Sequence, residues 1–310
     1  MKILVTGISG GIGASLAPRL LSEGHEVRGL SRHPPSPADL VSSAGVQWMT
    51  GDAVSGLGLR TALSGVDVAY YLIHSMEPEA GTRFYARESA SATNFARSAT
   101  RAGVGRVVYL GGLVPQETAS SSTHLRSRLE VERILREQSP EAVALRASIV
   151  IGARSRSFRF LVRLVERMPV LFIPAWREYR TAPVDERDLI ECLVRAADDP
   201  DFAGHSLDIA GPEVITYGAM IERIRDLMLL DRPVLNLPGL TIMPIASRIS
   251  ALIAGEQHAL IGPLMAGLAS DLLPREPLAT ELLGLRRHSL DAAIERALAV
   301  WERSEPLRAR

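Results

Sequence analysis

The strongest constraint on this chain is a glycine pattern near its start. Thr6-Gly7-Ile8-Ser9-Gly10-Gly11-Ile12-Gly13 follows a short apolar run, Lys2–Thr6. It leads into residues at helical spacing, with Ile12, Leu16 and Leu20 on one face. Gly7 permits a tight turn. Gly10 lets the backbone approach a pyrophosphate, and Gly13 lets the helix pack close to the strand. Ser9, Gly11 and Ile12 complete the loop, and the helix N-terminus offers N–H groups and positive potential to phosphates. This is how a dinucleotide-binding βαβ unit begins.

The first half of the chain repeats the alternation. Apolar runs at Glu26–Leu30, Val46–Met49, Val66–Ile73, Arg106–Leu110 and Ala142–Arg146 read as buried parallel strands. Between them, Leu57–Leu63, Thr82–Ala102 and Arg126–Glu137 read as helices. Pro18 inside the first helix removes one backbone bond and favours a kink, and Gly24 ends that helix. Strands alternating with helices predict a Rossmann-type, doubly wound parallel α/β sheet covered on both faces.

The second half is less regular. Helices are expected at Phe158–Arg167, with a basic outer face, at Asp188–Ala197, from a Thr216 cap to near Leu229, and at Leu290–Arg303 after a Ser289 cap. Leu207–Ile209 reads as a strand. The expected division is a dinucleotide-binding domain at 1–153 and a smaller C-terminal substrate lobe at 154–310. Within that lobe, 183–203 packs back on the first domain.

The cofactor choice turns on the end of the second strand. An acid about 20 residues beyond the glycines would bind the ribose hydroxyls of NAD. The chain has Leu30-Ser31-Arg32-His33 there, and its nearest acids, Glu26 and Asp39, are poorly placed. Arg32 suits a 2′-phosphate, with Ser31 or His33 as hydrogen-bonding neighbours. The expected cofactor is therefore NADP(H).

Composition closes other doors. The 35 basic and 35 acidic side chains cancel, which argues against a nucleic-acid surface. Lys2 is the only lysine, so no interior lysine can form a Schiff base or serve a Walker A loop. Cys192 is the only cysteine, which excludes an internal disulfide, and no His or carboxylate spacing suggests a metal site. MKILVTG does not read as a signal peptide. Pro233–Ser247 carries no charge but three prolines, and Gln257–Ser270 is uncharged over only 14 residues. Spanning a bilayer takes about 20. Both segments read as buried or lid-like, with peripheral lipid or quinone contact as the alternative. No integral membrane segment is expected, and a cytoplasmic location follows.

The T-G-x-x-G-x-x-G loop resembles that of the extended short-chain dehydrogenase/reductase superfamily, and further matches run along nearly the whole chain. Gly51-Asp52-Ala53 resembles the family's adenine-contact turn. Val66 to Met76, including Leu72 and His74, resembles its fourth strand and following loop. Leu145 to Gly152, including Ser148, resembles the loop framing the nicotinamide. Pro183 to Asp188 and Gly211 to Tyr217 resemble later landmarks. The Tyr71-Leu72-Ile73-His74-Ser75-Met76 loop and Tyr109-Leu110-Gly111-Gly112-Leu113 look more like the atypical, NmrA-like and complex-I-accessory-like branch than like sugar epimerases.

The resemblance also implies a catalytic pair, a tyrosine with a lysine four positions later, and a serine from the fifth strand's end. Here no tyrosine occurs between Tyr109 and Tyr179. His124 and Arg128 stand in the places of the pair, and Gly111–Gly112 replace the serine region. Positions 124 and 128 share a helix face one turn apart. Histidine can give or take a proton near neutral pH. Arginine can hydrogen-bond ribose hydroxyls but cannot lose its proton.

Other candidates leave alternatives open. His74 either contacts the cofactor or bonds to backbone. Tyr85 either points into the cleft or packs in the core. Arg154, Arg156 and Arg159 either meet an anionic substrate or form a solvated basic face. Tyr179 and Trp176 are candidate pocket lining, and Asp185 and Asp188 read as helix caps. The resemblance implies an NADP-dependent oxidoreductase acting on a small carbonyl, enone or quinone substrate. A non-catalytic NADPH-binding redox sensor or assembly factor, and an isomerase or cyclase, remain as alternatives. The sequence does not set an oligomeric state.

Overall fold

The structure is a computed structural model, and it describes residues 1–36, 44–73, 82–115, 123–139, 141–173, 175–236, 270–305 and 307. In chain order the strands are β1 (Lys2–Thr6), β2 (Glu26–Ser31), β3 (Gln47–Thr50), β4 (Val68–Tyr71), β5 (Arg106–Gly112), β6 (Val143–Ala147), β7 (Val150–Ile151), β8 (Leu171–Ile173), β9 (Arg180–Thr181), β10 (Val184–Asp185), β11 (Ser206–Ile209), β12 (Ile215–Thr216) and β13 (Val234–Asn236). The helices are α1 (Gly11–Ser22), α2 (Leu59–Leu63), α3 (Thr82–Ala102), α4 (Thr123–Gln138), α5 (Arg156–Arg167), α6 (Glu186–Arg195), α7 (Tyr217–Leu227), α8 (Ala279–Leu282) and α9 (Leu290–Glu302).

Seven strands among the described residues form one sheet in the order β11-β6-β5-β4-β1-β2-β3, with every pairing parallel. Parallel strands must be covered on both faces, and their residues show why they tolerate this. Tyr70 and Tyr71 are adjacent in β4 and face opposite sides. The Tyr70 hydroxyl donates to the Leu193 carbonyl at 2.6 Å on the face covered by α1 and α6. The Tyr71 hydroxyl shares a 2.8 Å hydrogen bond with Ser91 on the face covered by α2, α3 and α4. The doubly wound architecture expected from the alternating pattern is present.

Helix starts follow the local chemistry. Asp185, Thr216 and Ser289 accept N–H bonds from Arg187, Ala219 and Ala292 at the heads of α6, α7 and α9. Asp188 instead receives the His288 backbone N–H at 2.9 Å and shares a 2.6 Å bond with its ring Nδ1, tying the approach to α9 onto α6. Pro18 lies within α1 on the exposed side. Residues 184–202 contribute Val184, Leu189, Leu193 and Phe202 to the core under the sheet.

A separate apolar cluster joins α5, α7 and α9 with Ile151 and Leu171. Trp301 is its largest buried side chain. The expectation for α5 is corrected here. Arg159 and Arg163 do not stand on a solvated basic face: their guanidinium carbons lie 4.2 and 4.8 Å from the centre of the Trp301 ring, whereas Arg156 and Arg167 are exposed. Both pair with Glu305, and Arg163 also with Glu166. The indole N–H donates to Glu305 at 3.1 Å. Arg159 is therefore part of a cation–π stack that seals the end of the cluster.

Trp301→Ala removes the ring, both cation–π contacts and one hydrogen bond. It should cost about 3–5 kcal/mol of stability. Chemical denaturation measures this, and a midpoint unchanged from wild type refutes that role for Trp301.

Candidate active site

Because all seven strands run the same way, their carboxyl ends form one edge, and strand order reverses there between β1 and β4. Thr6 closes that point. Its hydroxyl donates to the Tyr70 carbonyl at 2.9 Å and accepts the Leu72 N–H at 3.1 Å. Gly7 follows with φ at +67°, where a side chain would be strained. A Cβ there would also stand 2.9 Å from the Leu72 carbonyl oxygen. The loop then folds back on itself. The Gly10 N–H donates to the Gly7 carbonyl at 2.9 Å, and a Cβ on Gly13 would stand 2.4 Å from that same oxygen. Ile8 is buried beneath the loop, and Ser9 and Gly10 are exposed.

The head of α1 fits a phosphate group. Gly10 caps it without a side-chain hydrogen bond, and its first turn carries no acidic residue. No carboxylate of that turn therefore competes for its N–H groups or opposes its positive potential. Ile12 is half-buried and packs against the core under the sheet.

Next along the edge come the ends of β2 and β3. Ser31 is half-buried and Arg32 exposed. Asp52 follows β3 and its carboxylate accepts the Val54 N–H at 3.0 Å. Burial alone would raise the Asp52 carboxyl. Hydrogen bonds from Val54 and Ser55 and the positive charge of Arg32 outweigh it, so the group lies below its ordinary range. Arg32 and Asp52 thus share one corner of the edge. Ala53 is buried there, and Asn94 of α3 clamps the turn by donating to the Ala53 and Val54 carbonyls at 3.3 and 2.7 Å. Sequence reading missed Asn94, which lies 41 residues from Ala53.

On the other side of the reversal are the ends of β4, β5 and β6. Leu72 is buried, and His74 lies outside the described residues. The backbone of His124 is in the first turn of α4, and its side chain lies outside the described residues. Arg128 is half-buried, and its Cδ stands 3.8 Å from where a Cβ on Gly112 would be. The arginine stem therefore passes over the end of β5, where the family resemblance implies a serine. Tyr109, the nearest tyrosine before the gap, does not replace the missing one. It is buried, its hydroxyl donates to the Arg128 carbonyl at 3.2 Å, and burial pushes its pKa far above the usual tyrosine range.

Ser148 leaves β6 next to this point. Its hydroxyl shares a 2.9 Å hydrogen bond with the buried Thr181 hydroxyl, and the buried Tyr217 hydroxyl lies near Thr181. Burial pushes Tyr217 up to about 12. Thr181 is a second site neighbour that no local signal marks. Tyr85 does not pack in the core: it is exposed and hydrogen-bonds Glu130 of α4. Tyr179 is exposed, and the Trp176 side chain lies outside the described residues. No group of metal-ligating side chains occurs among the described residues.

Comparison with known proteins places this edge in context. A sequence model of the NmrA-like family matches residues 1–222. An uncharacterized protein of Mycobacterium tuberculosis is 29% identical over 242 residues, 76% of this chain and 25% of that protein. The chain thus spans about a quarter of the length of that relative. A 3-beta-hydroxysteroid dehydrogenase of Mycolicibacterium neoaurum is 30% identical over 171 residues, 48% of this chain and 46% of the enzyme. Among solved structures, a short-chain dehydrogenase/reductase superfamily protein from Agrobacterium tumefaciens with bound NAD aligns at a TM-score of 0.67. It is 18% identical, with 98% of this chain and 97% of that one covered.

Gly13→Ala forces a methyl group into the Gly7 carbonyl and within 2.7 Å of the Ile8 Cα, both backbone atoms that cannot swing aside. The expected loss is about 1–3 kcal/mol. A thermal unfolding midpoint equal to wild type would show that the loop relaxes around the methyl group.

Proposed function

Because the chain belongs to the NmrA-like family, we propose that it is an NADP-dependent oxidoreductase acting on a small organic carbonyl, enone or quinone. The observation that carries this reading is the line of candidates along one sheet edge. The glycine loop, the Arg32–Asp52 corner and the Arg128 stem over Gly112 occupy the ends of β1, β2, β3 and β5 in register. The relatives supply the coarser part, a nicotinamide-dinucleotide fold among dehydrogenases. The choice of NADP and the substrate class rest on this chain's own residues.

When bound, the nicotinamide supplies a hydride; the protein supplies orientation and charge. Gly7, Ser9, Gly10, Gly11, Ile12 and Gly13 hold the pyrophosphate through the head of α1. Ser31 and Arg32 take the 2′-phosphate, where the guanidinium offers paired donors to a fully charged group. Asp52 and Ala53 frame the adenine. Leu72, His74 and Ser148 line the ribose and nicotinamide side of the crevice.

Arg128 holds the nicotinamide ribose by hydrogen bonding and stays charged throughout. His124, one turn ahead, delivers the proton to the substrate oxygen. Tyr109 takes no part, because its hydroxyl is buried and already bonded. A site without the tyrosine–lysine pair stabilises a localised alkoxide less well. It therefore favours acceptors that spread the developing charge, such as enones and quinones.

Fluorescence titration tests the cofactor assignment. NADPH should bind at least about tenfold more tightly than NADH, the worth of one charge-assisted contact. Arg32→Ala should erase the difference. Equal dissociation constants for the two cofactors in wild type would sink the NADP reading. For the chemistry, His124→Phe should lower NADPH oxidation with a quinone or enone by about 100-fold or more while leaving NADPH affinity intact. Unchanged turnover removes His124 from the mechanism.

A further inference from the structure

Arg154 sits between β7 and Ser155, the cap of α5, so it belongs to the segment that enters the second apolar cluster. Its backbone is docked on the glycine loop. A Cβ built on Gly11 would stand 2.8 Å from the Arg154 carbonyl oxygen and 3.4 Å from the Arg154 Cβ. Position 11 must therefore be glycine for the two loops to meet, a requirement separate from that of Gly7 and Gly13. The Arg154 side chain starts within van der Waals range of the first residue of α1, whose head carries no cap and no acid.

Arg154 is exposed, and among the described residues its side chain has no hydrogen bond or ion pair. The contrast with its neighbours is informative: Arg159 and Arg163 are bound to Glu305 and stacked on Trp301. Glu186, whose carboxylate lies against Gly152 two residues before Arg154, is engaged elsewhere. It accepts the Ser15 hydroxyl at 2.7 Å, its other oxygen lies against Gly152, and Arg296 stands 4.0 Å away. An arginine with no carboxylate partner among the described residues therefore starts, at its Cβ, beside a helix head that has no side-chain cap.

Resting on the dinucleotide reading above, we propose that Arg154 is a second cation of the cofactor site and clamps the pyrophosphate at the head of α1. The helix end contributes only about half a charge against two phosphate charges. Apart from Lys2 the chain has no lysine to add. Arg154 supplies the missing charge from the segment that leads into α5. Cofactor binding thereby fixes the loop over residues 152–155 and with it the start of α5.

The experiment titrates NADPH and adenosine 2′-monophosphate, which lacks a pyrophosphate, into wild type, Arg154→Ala and Arg32→Ala. Arg154→Ala should weaken NADPH about tenfold and leave adenosine 2′-monophosphate unchanged. That unchanged affinity also shows the variant to be folded. Arg32→Ala should weaken both ligands. Wild-type affinity of Arg154→Ala for NADPH overturns the clamp while the dinucleotide site stands. An equal loss of both ligands in Arg154→Ala overturns it too, because the residue then supports the loop rather than the pyrophosphate. Wild type that binds neither NADPH nor NADH overturns the dinucleotide reading itself.

Discussion

Everything at the candidate site depends on the point where β1 and β4 part. Two neighbouring parallel strands whose chains leave in opposite directions open a crevice, and the backbone groups lining it must still be satisfied. Thr6 does this with one hydroxyl, donating to Tyr70 and accepting from Leu72. The chain can then turn at Gly7 and fold back until Gly13 lies against the Gly7 carbonyl. Each later feature inherits its position from that turn. The head of α1 is aimed by it, β2 is placed by the length of α1, and Arg32 emerges where β2 ends.

Short-range signals made much of this legible. The strands of the main sheet, the glycine loop and the Asp185, Thr216 and Ser289 caps are each written within a few residues, and each appears where the local pattern puts it. Strand ends shifted by one or two residues, as at β4, which begins at Val68 rather than Val66. The features that were not legible depend on partners far along the chain. Arg159 finds Trp301 and Glu305 about 140 residues later, and Ser148 finds Thr181 beyond the whole of α5. No periodicity reports such a meeting. The docking of Arg154 on Gly11 is a third case: the third of four glycines in a phosphate loop looks like part of the loop, whereas its missing side chain leaves room for another segment's backbone.

The scarcity of lysine has structural consequences that go beyond charge. An arginine brings a planar fork, and the chain uses it in paired contacts: Arg146 on Glu132, Arg187 on Asp185 and Arg180 on Asp271. The Arg146–Glu132 pair is the most consequential, because it ties α4 to β6. Glu132 is buried and also accepts the Ser206 hydroxyl at 2.6 Å, so the same carboxylate reaches β11. A helix held this way presents positions 124 and 128, in its first two turns, at a fixed height above the ends of β5 and β6. The placement of these two positions is therefore fixed by a side chain that is itself remote from them.

What those two turns can do is limited by proton chemistry rather than by geometry. Arg128 has a place over Gly112 that suits a ribose contact, but a guanidinium keeps its proton at any accessible pH. Tyr109 is close, yet burial and its bond to the Arg128 carbonyl hold its proton in place. The Ser148 hydroxyl is already engaged with Thr181, and Tyr217 beyond it is pushed up to about 12, so this chain of hydroxyls can orient a polar group but is a poor acid. Of the side chains weighed at this edge, only a histidine titrates near neutral pH without help. Under the proposed function, His124 and Arg128 would divide two tasks that the usual pair shares: holding the cofactor would fall to a permanent cation, and moving the proton to an imidazole.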